Sequence, residues 1–183
     1  PSVTVPSQYL SDNSLVTIRA VVEDDDSATE VFTDIAVNIV APILNIIGHG
    51  TSIEGSPYLL SLSATDLGND TVEYWNVNWG DGIVEIFSGT TVSASHSFQD
   101  NGTFTLDITA VDEDGSYHPV TVPVVIVSNV LPELSNLAAS ATQENGYSTL
   151  TGNISDAGVL DSFTLEVNWG DSLATEIFEF PSS

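Results

Sequence analysis

Carboxylates are the chemistry this chain carries in quantity. It holds 26 aspartates and glutamates against one basic residue, Arg19, for a formal net charge of −25. The acids fall where glycine and asparagine also fall. Asp66 and Asp70 flank Gly68 and Asn69, Asp112 and Asp114 precede Gly115, and Glu23 to Asp26 form an unbroken run. Almost none of these groups can find an ion-pair partner within the chain, so the sequence calls for cations. A solvated acidic surface is the plain alternative. Neither Asp112–Gly115 nor Glu23–Asp26 is an EF-hand, because the glycine comes too early and the closing Glu is missing. A polyanion also makes nucleic acid and anionic membrane unsuitable partners.

Other reactive groups are sparse. Cysteine is absent, which excludes disulfides and thiol chemistry. His49, His96 and His118 are the only histidines. No phosphate loop, dinucleotide fingerprint or His/Cys metal cluster is present. A Ser-His-Asp set can be drawn from any such composition and carries no weight by itself. Paired carboxylates for sugar hydrolysis exist by type, but they lie in loops with no cleft implied. The chain is therefore expected not to be an enzyme. Asn-x-Ser/Thr sequons stand at Asn69, Asn101 and Asn153.

The elements that hold these loops read as β-strands. Tyr58, Leu60, Leu62 and Ala64 alternate with Leu59, Ser61 and Ser63, and Phe104, Leu106, Ile108 and Ala110 with Thr105, Asp107 and Thr109. Trp75, Val77 and Trp79 share a face, as do Phe163, Leu165, Val167 and Trp169. Val92, Ala94, His96 and Phe98 form another stripe, and Val120, Val122, Val124 and Ile126 the last. Pro123 inside that run marks an edge strand or a bulge. Gly80-Asp81-Gly82 reads as a tight hairpin turn. No helical stripe is present, and no run of 18 apolar residues suggests a membrane span. No signal peptide is evident, and the lack of Met, even at position 1, marks a mature or excerpted piece.

The elements repeat. Asn-Trp-Gly-Asp occurs at Asn78–Asp81 and again at Asn168–Asp171, ninety residues on. Glu54 matches Glu144, Asp66 matches Asp156 and Gly68 matches Gly158 at the same offset. Such a period is too long for a solenoid turn and suits one small domain. About seven strands in that length predict a two-sheet sandwich. The expected organisation is the C-terminal half of one bead at 1–42, a complete bead at 43–132 and the N-terminal half of a third at 133–183.

Three segments in order carry a family resemblance. Val77-Asn-Trp-Gly-Asp-Gly82, His96-Ser-Phe-Gln-Asp-Asn-Gly-Thr-Phe104 and Ala110-Val-Asp-Glu-Asp-Gly115 resemble the PKD (polycystic kidney disease) domain, found in tandem in large bacterial surface proteins. The resemblance implies an immunoglobulin-like β-sandwich. Its motif residues here are Trp79, Gly80, Asp81, Gly82, His96 and Phe98, with Trp169 in the third bead. His96 then lies inward as a structural histidine. Many PKD domains carry Trp where Val77 stands, so Trp79 is expected to fill that core from a neighbouring layer. The third bead lacks the second turn glycine, having Ser172.

The resemblance also assigns ends to the sandwich. It brings the Asp66–Thr71 loop, the Asp112–His118 loop and the linker at Val40–Pro42 to one end. Asp66, Asp70, Asp112 and Asp114 are then neighbours and candidate calcium ligands, Ca²⁺ being a hard cation that collects carboxylate and carbonyl oxygens. The first bead's equivalent is Glu23–Asp26, with Val22 at the counterpart of Asp112. Glu54, Asp81 and Asp100 lie at the opposite end. They could serve a junction with the next bead, although Asp81 is better read as bonding its own turn.

The function these features point to is a structural or adhesive extracellular module of a bacterial surface, a calcium-stiffened spacer. The alternative is a carbohydrate-binding accessory module of a secreted hydrolase, using Tyr74 or Tyr117. Expected partners are neighbouring copies of the bead. The C-terminal half-bead of one chain is expected to be completed head-to-tail by the N-terminal half-bead of the next, because each half alone exposes strand edges, and such a contact that does not close builds a filament-forming segment. The alternative is that the sequence is a window of a longer continuous chain.

Overall fold

Alternating apolar residues with turn formers between them build an all-β protein. The computed structural model of the chain describes residues 2–10, 15–66, 70–171 and 173–181. Gly68, Asn69 and Ser172 lie outside the described residues. Among the described residues the helical content is one 3-10 turn, Ser7–Tyr9.

The middle of the chain is an immunoglobulin-like β-sandwich. One sheet consists of β3 (Ile43–Gly48), β5 (Pro57–Thr65) and β8 (Ser93–Ser97), in that order and antiparallel. Facing it are β6 (Tyr74–Asn78), β7 (Val84–Ser88) and β10 (Asp107–Val111), with the short β11 (Ser116–Tyr117) outside β10. Alongside these run β4 (Thr51–Ile53), β12 (Val124–Ser128) and β9 (Gly102–Thr105).

These ten segments are seven strands, three of them interrupted. The first strand breaks between β3 and β4 and changes partners, from β5 to β12. Phe104 to Ala110, expected as one strand, breaks at Leu106, whose N–H bonds the Pro123 carbonyl at 3.0 Å. That bond joins the β9–β10 break to the β11–β12 break, so both strands kink together. Pairing within the sandwich is antiparallel except at one place. β4 runs parallel to β12, with Ile126 opposite Thr51.

The core is where the alternation placed it, with two corrections. Tyr58, Leu60, Leu62, Trp75, Val77, Trp79, Phe98, Leu106, Ile108 and Ala110 are buried. The last stripe is inverted. Val120, Val122, Val124 and Ile126 are exposed, and Val125 and Val127 face the core. Residues 124–127 are apolar at both parities, so alternation could not select a face, and the strand begins only after Pro123. Val92, assigned to the His96 stripe, is also exposed, because β8 starts at Ser93.

The flanking segments are hairpins. β1 (Leu15–Glu23) pairs β2 (Ala28–Ala36) without a break. β13 (Glu133–Ala139) pairs β14 (Leu150–Ser155), with a bulge between Ser135 and Ala138. β15 (Phe163–Val167) pairs β16 (Glu176–Phe180). Leu134, Leu137, Leu150, Ile154, Leu165 and Phe180 line an apolar groove between the last two hairpins, of about 420 Å³.

Candidate metal centre

The Asn-Trp-Gly-Asp turn is built from its own side chains. Asn78 Oδ1 accepts the Gly80 N–H at 3.0 Å, and Asp81 Oδ1 accepts the Ile83 N–H at 3.0 Å. Gly80 stands at φ +84° and Gly82 at +95°, a region costly for any residue with a Cβ. A Cβ at Gly80 would also lie 2.5 Å from the Thr105 carbonyl oxygen. Asp81 therefore bonds its own turn, as expected of Asp in turns.

Its second oxygen has a further role. Asp81 Oδ2 lies 2.7 Å from His96 Nε2. The imidazole is stacked on the Trp79 indole, centroids 4.7 Å apart, and meets Phe98 edge-on at 4.9 Å. Trp79 donates its indole N–H to Glu85 at 2.7 Å. His96 is thus held on three sides inside the fold. A histidine so placed orders the core and is poorly situated as a base.

At the leading end of the domain, Asp66 and Asp70 follow β5, and Asp112 and Asp114 follow β10. Asp112 is almost buried. Its Oδ1 accepts the N–H groups of Asp114 and Gly115, both at 2.9 Å, which closes the β10–β11 turn. Tyr117 reports the company these acids keep. Its phenol is pushed up first by burial and then by the negative charges of Asp112, Asp114, Asp66 and Asp70. An open groove of about 460 Å³ is lined there by Pro42, Asp66, Asp70, Thr71 and Asp112. Asp66, Asp70 and Asp112 therefore border one groove, and Asp114 belongs to the same turn as Asp112.

The first hairpin carries the same turn, shifted. Asp24 Oδ1 accepts the N–H groups of Asp26 at 3.0 Å and Ser27 at 2.7 Å, and the Asp24 N–H bonds the Ser27 carbonyl. Asp24 thus performs the task of Asp112, two residues later than the ninety-residue offset places it. Val22, the counterpart by offset, is exposed.

At the trailing end a second acidic group forms. Glu54 is fully buried, between β4 and β5. Glu54, Asp156 and Asp161 each offer an oxygen, and these oxygens all lie within 4.8 Å of one another. Asp161 is pushed up by burial and by the charges of Asp156 and Asp100. Asp100 bonds the Asn101 N–H at 2.7 Å. Of the three residues assigned to this end by sequence, Glu54 and Asp100 face the group and Asp81 does not. Asp156 and Asp161 were not singled out as ligands. Asp156 was visible as the counterpart of Asp66, whereas Asp161 falls opposite Thr71 and left no signal.

Comparison with known proteins fits this architecture. A search of curated proteins returns no match. Among solved structures, the PKD domain of an M14-like peptidase from Thermoplasmatales archaeon SCGC AB-540-F20 is similar. It is 26% identical, with 48% of this chain and 96% of that one covered and a TM-score of 0.39. Among family profiles, that of the PKD domain matches residues 39–126. The chain carries a PKD domain, formed by the sandwich whose turn holds Trp79 and Asp81.

Proposed function

We propose that the chain is a structural or adhesive segment of an extracellular, bacterial surface protein, in which the sandwich is a calcium-stiffened spacer. PKD domains are generally non-catalytic and typically extracellular modules, which supports this reading. No helix among the described residues is long and apolar enough to cross a membrane. The single observation that carries the calcium reading is that Asp66, Asp70 and Asp112, from two loops far apart in sequence, border one groove, with Asp114 in the Asp112 turn. Two loops that meet only in the fold deliver four carboxylates to one place, and one cation there would tie the loops together.

Millimolar calcium should therefore raise the melting temperature, because a ligand of the folded state alone stabilises it by mass action. Asp112→Asn combined with Asp114→Asn should remove most of that gain, and Asp81→Asn should leave the gain in place. An equal rise from NaCl at matched ionic strength would reduce the effect to screening.

The partner in this reading is a neighbouring copy. The apolar groove between the β13–β14 and β15–β16 hairpins suits the β1–β2 hairpin of a second chain, the repeat counterpart of β10 and β12. Light scattering against concentration tests the pairing. Association should shift Trp169 emission to the blue, and a monomer at all concentrations would remove it. The accessory glycan-binding alternative needs an open aromatic platform. Tyr74 and Tyr117 are both half-buried, and Tyr117 sits among the four carboxylates.

A further inference from the structure

Glu54 is a charged residue of the middle domain with no exposed surface. One of its oxygens, Oε1, accepts the Val130 N–H at 2.5 Å. The other, Oε2, is buried without a hydrogen-bond partner. An unsatisfied carboxylate oxygen in the interior is costly, and native folds rarely keep one without a ligand, a proton or a metal. Oε2 is aimed at the segment that follows the domain. There Asp156 gives Oδ1 to the Gly158 N–H at 2.8 Å, and its Oδ2 is also buried without a hydrogen-bond partner. Asp161 completes the group from the far side of the same loop, where its N–H bonds the Gly158 carbonyl.

Glycine keeps the space between these oxygens open. A Cβ on Gly158 would lie 2.6 Å from Asp161 Oδ2 and 3.1 Å from Glu54 Oε2. The chain offers no cationic side chain to fill it. Arg19, its one basic residue, is paired with Glu30 in the first hairpin. Calcium binds oxygen at roughly 2.3–2.6 Å, so two ligands on opposite sides of it are about 4.6–5.2 Å apart. The three oxygens here lie within 4.8 Å of one another, near enough for one such ion to touch all three.

We propose that Glu54, Asp156 and Asp161 bind a calcium ion that pins the middle domain to the segment after it. Glu54 comes from one side of the joint and the two aspartates from the other, so the ion resists bending between them. Asp100, whose charge reaches Asp161, adds negative potential from the middle domain. The proposal deepens the spacer reading and rests on it for its purpose, which is a stiff joint.

The test uses the full chain at neutral pH and constant ionic strength, with calcium titrated by calorimetry. The parent is compared with Glu54→Gln, Asp161→Asn and the Asp112→Asn/Asp114→Asn double variant. Gln keeps an oxygen for the Val130 N–H, and Asp161→Asn tests the site from outside the domain core should Glu54→Gln disturb it. Each of the two should lose one calcium equivalent or weaken it by at least about tenfold, since affinity follows the charge of the ligand set. The double variant should lose a different equivalent. The absence of cysteine allows spin labels at Ser95→Cys and Thr164→Cys, both exposed strand positions. Calcium should narrow the label distance distribution in the parent and leave it broad with Glu54→Gln. If Glu54→Gln and Asp161→Asn bind calcium as the parent does, the junction site is refuted while the leading-end site stands. If the only equivalent lost is the one removed by Glu54→Gln or Asp161→Asn, the leading-end site is refuted and the junction stands. A parent chain that takes up no calcium, its carboxylates sharing protons instead, overturns both.

Discussion

Trp79 and Trp169 sit in the same tetrapeptide and in the same turn, yet one is fully buried and the other is 48% exposed. The local geometry is nearly identical. Asn168 bonds Gly170 as Asn78 bonds Gly80, Gly170 stands at φ +76°, and Asp171 caps Leu173 as Asp81 caps Ile83. Even the indole partner recurs, Glu176 at 3.1 Å replacing Glu85, although the third turn is one residue longer. What differs is everything distant in sequence. Trp79 is stacked on His96 of β8 and touches Tyr58 of β5 edge-on. Around Trp169 no described strand supplies either ring. The tetrapeptide encodes a turn, and burial comes from strands paired across the sandwich.

The comparison breaks most sharply under truncation of the two indoles. Trp79→Ala should cost about 3–5 kcal/mol, the usual loss for a large aromatic removed from a packed core. Trp169→Ala should cost about 1 kcal/mol or less, as for a surface-side change. Denaturant unfolding followed by near-ultraviolet circular dichroism measures both. Comparable losses would mean that the second indole is covered in solution, and the contrast would fall.

The turn aspartates sharpen it at a smaller scale. Asp81→Ala removes the cap on Ile83 and leaves His96 Nε2 without its partner, at about 1–3 kcal/mol for a buried polar group left unpaired. Asp171→Ala removes a cap alone, on an exposed turn, and should cost about 0.5 kcal/mol. Asp81→Asn separates the two effects, because an amide oxygen can still accept from Ile83. An Asp81→Ala loss no larger than that of Asp171→Ala would remove His96 from the account.

These contrasts mark what the sequence made legible. Period-two stripes located β5, β6 and β10 and chose their inward faces, because each stripe alternates with Ser, Asn or Thr. The stretch around Val124 has no such contrast, and its face was fixed only by pairing with β4 and β9. The breaks at Leu106 and after Gly48 depend on which strand lies opposite, which no local pattern contains. The site divides in the same way. The four leading-end aspartates were found through the order of motifs and loops. Glu54 was noted as a loop acid, but its burial requires the segment at Asp156–Asp161 to fold back on it. Asp161 has no counterpart in the repeat and could be found only in three dimensions.

The smallest effect concerns the β1–β2 turn and its twin in the middle domain. Asp24 and Asp112 each hold two backbone N–H groups with one oxygen, but Asp24 is on an exposed hairpin and Asp112 is almost buried beside other acids. The Asp24 carboxyl is held below its ordinary value of 3.8, by the Asp26 N–H first, then by the Ser27 N–H and hydroxyl. These bonds favour the charged form in the folded hairpin. Its contribution is therefore present above the free value and is lost as pH falls through the lower, folded one. Solvent screens an exposed group, so the loss should be local and leave the sandwich intact. Carbon-detected titration should place Asp24 below its ordinary value, and amide exchange at Asp26 and Ser27 should quicken as Asp24 protonates. Asp24→Ala should abolish that step in exchange and Asp25→Ala should keep it. An Asp24 that titrates at its ordinary value would show that the turn is not held by this carboxylate in solution, and the likeness to Asp112 would then be one of sequence only.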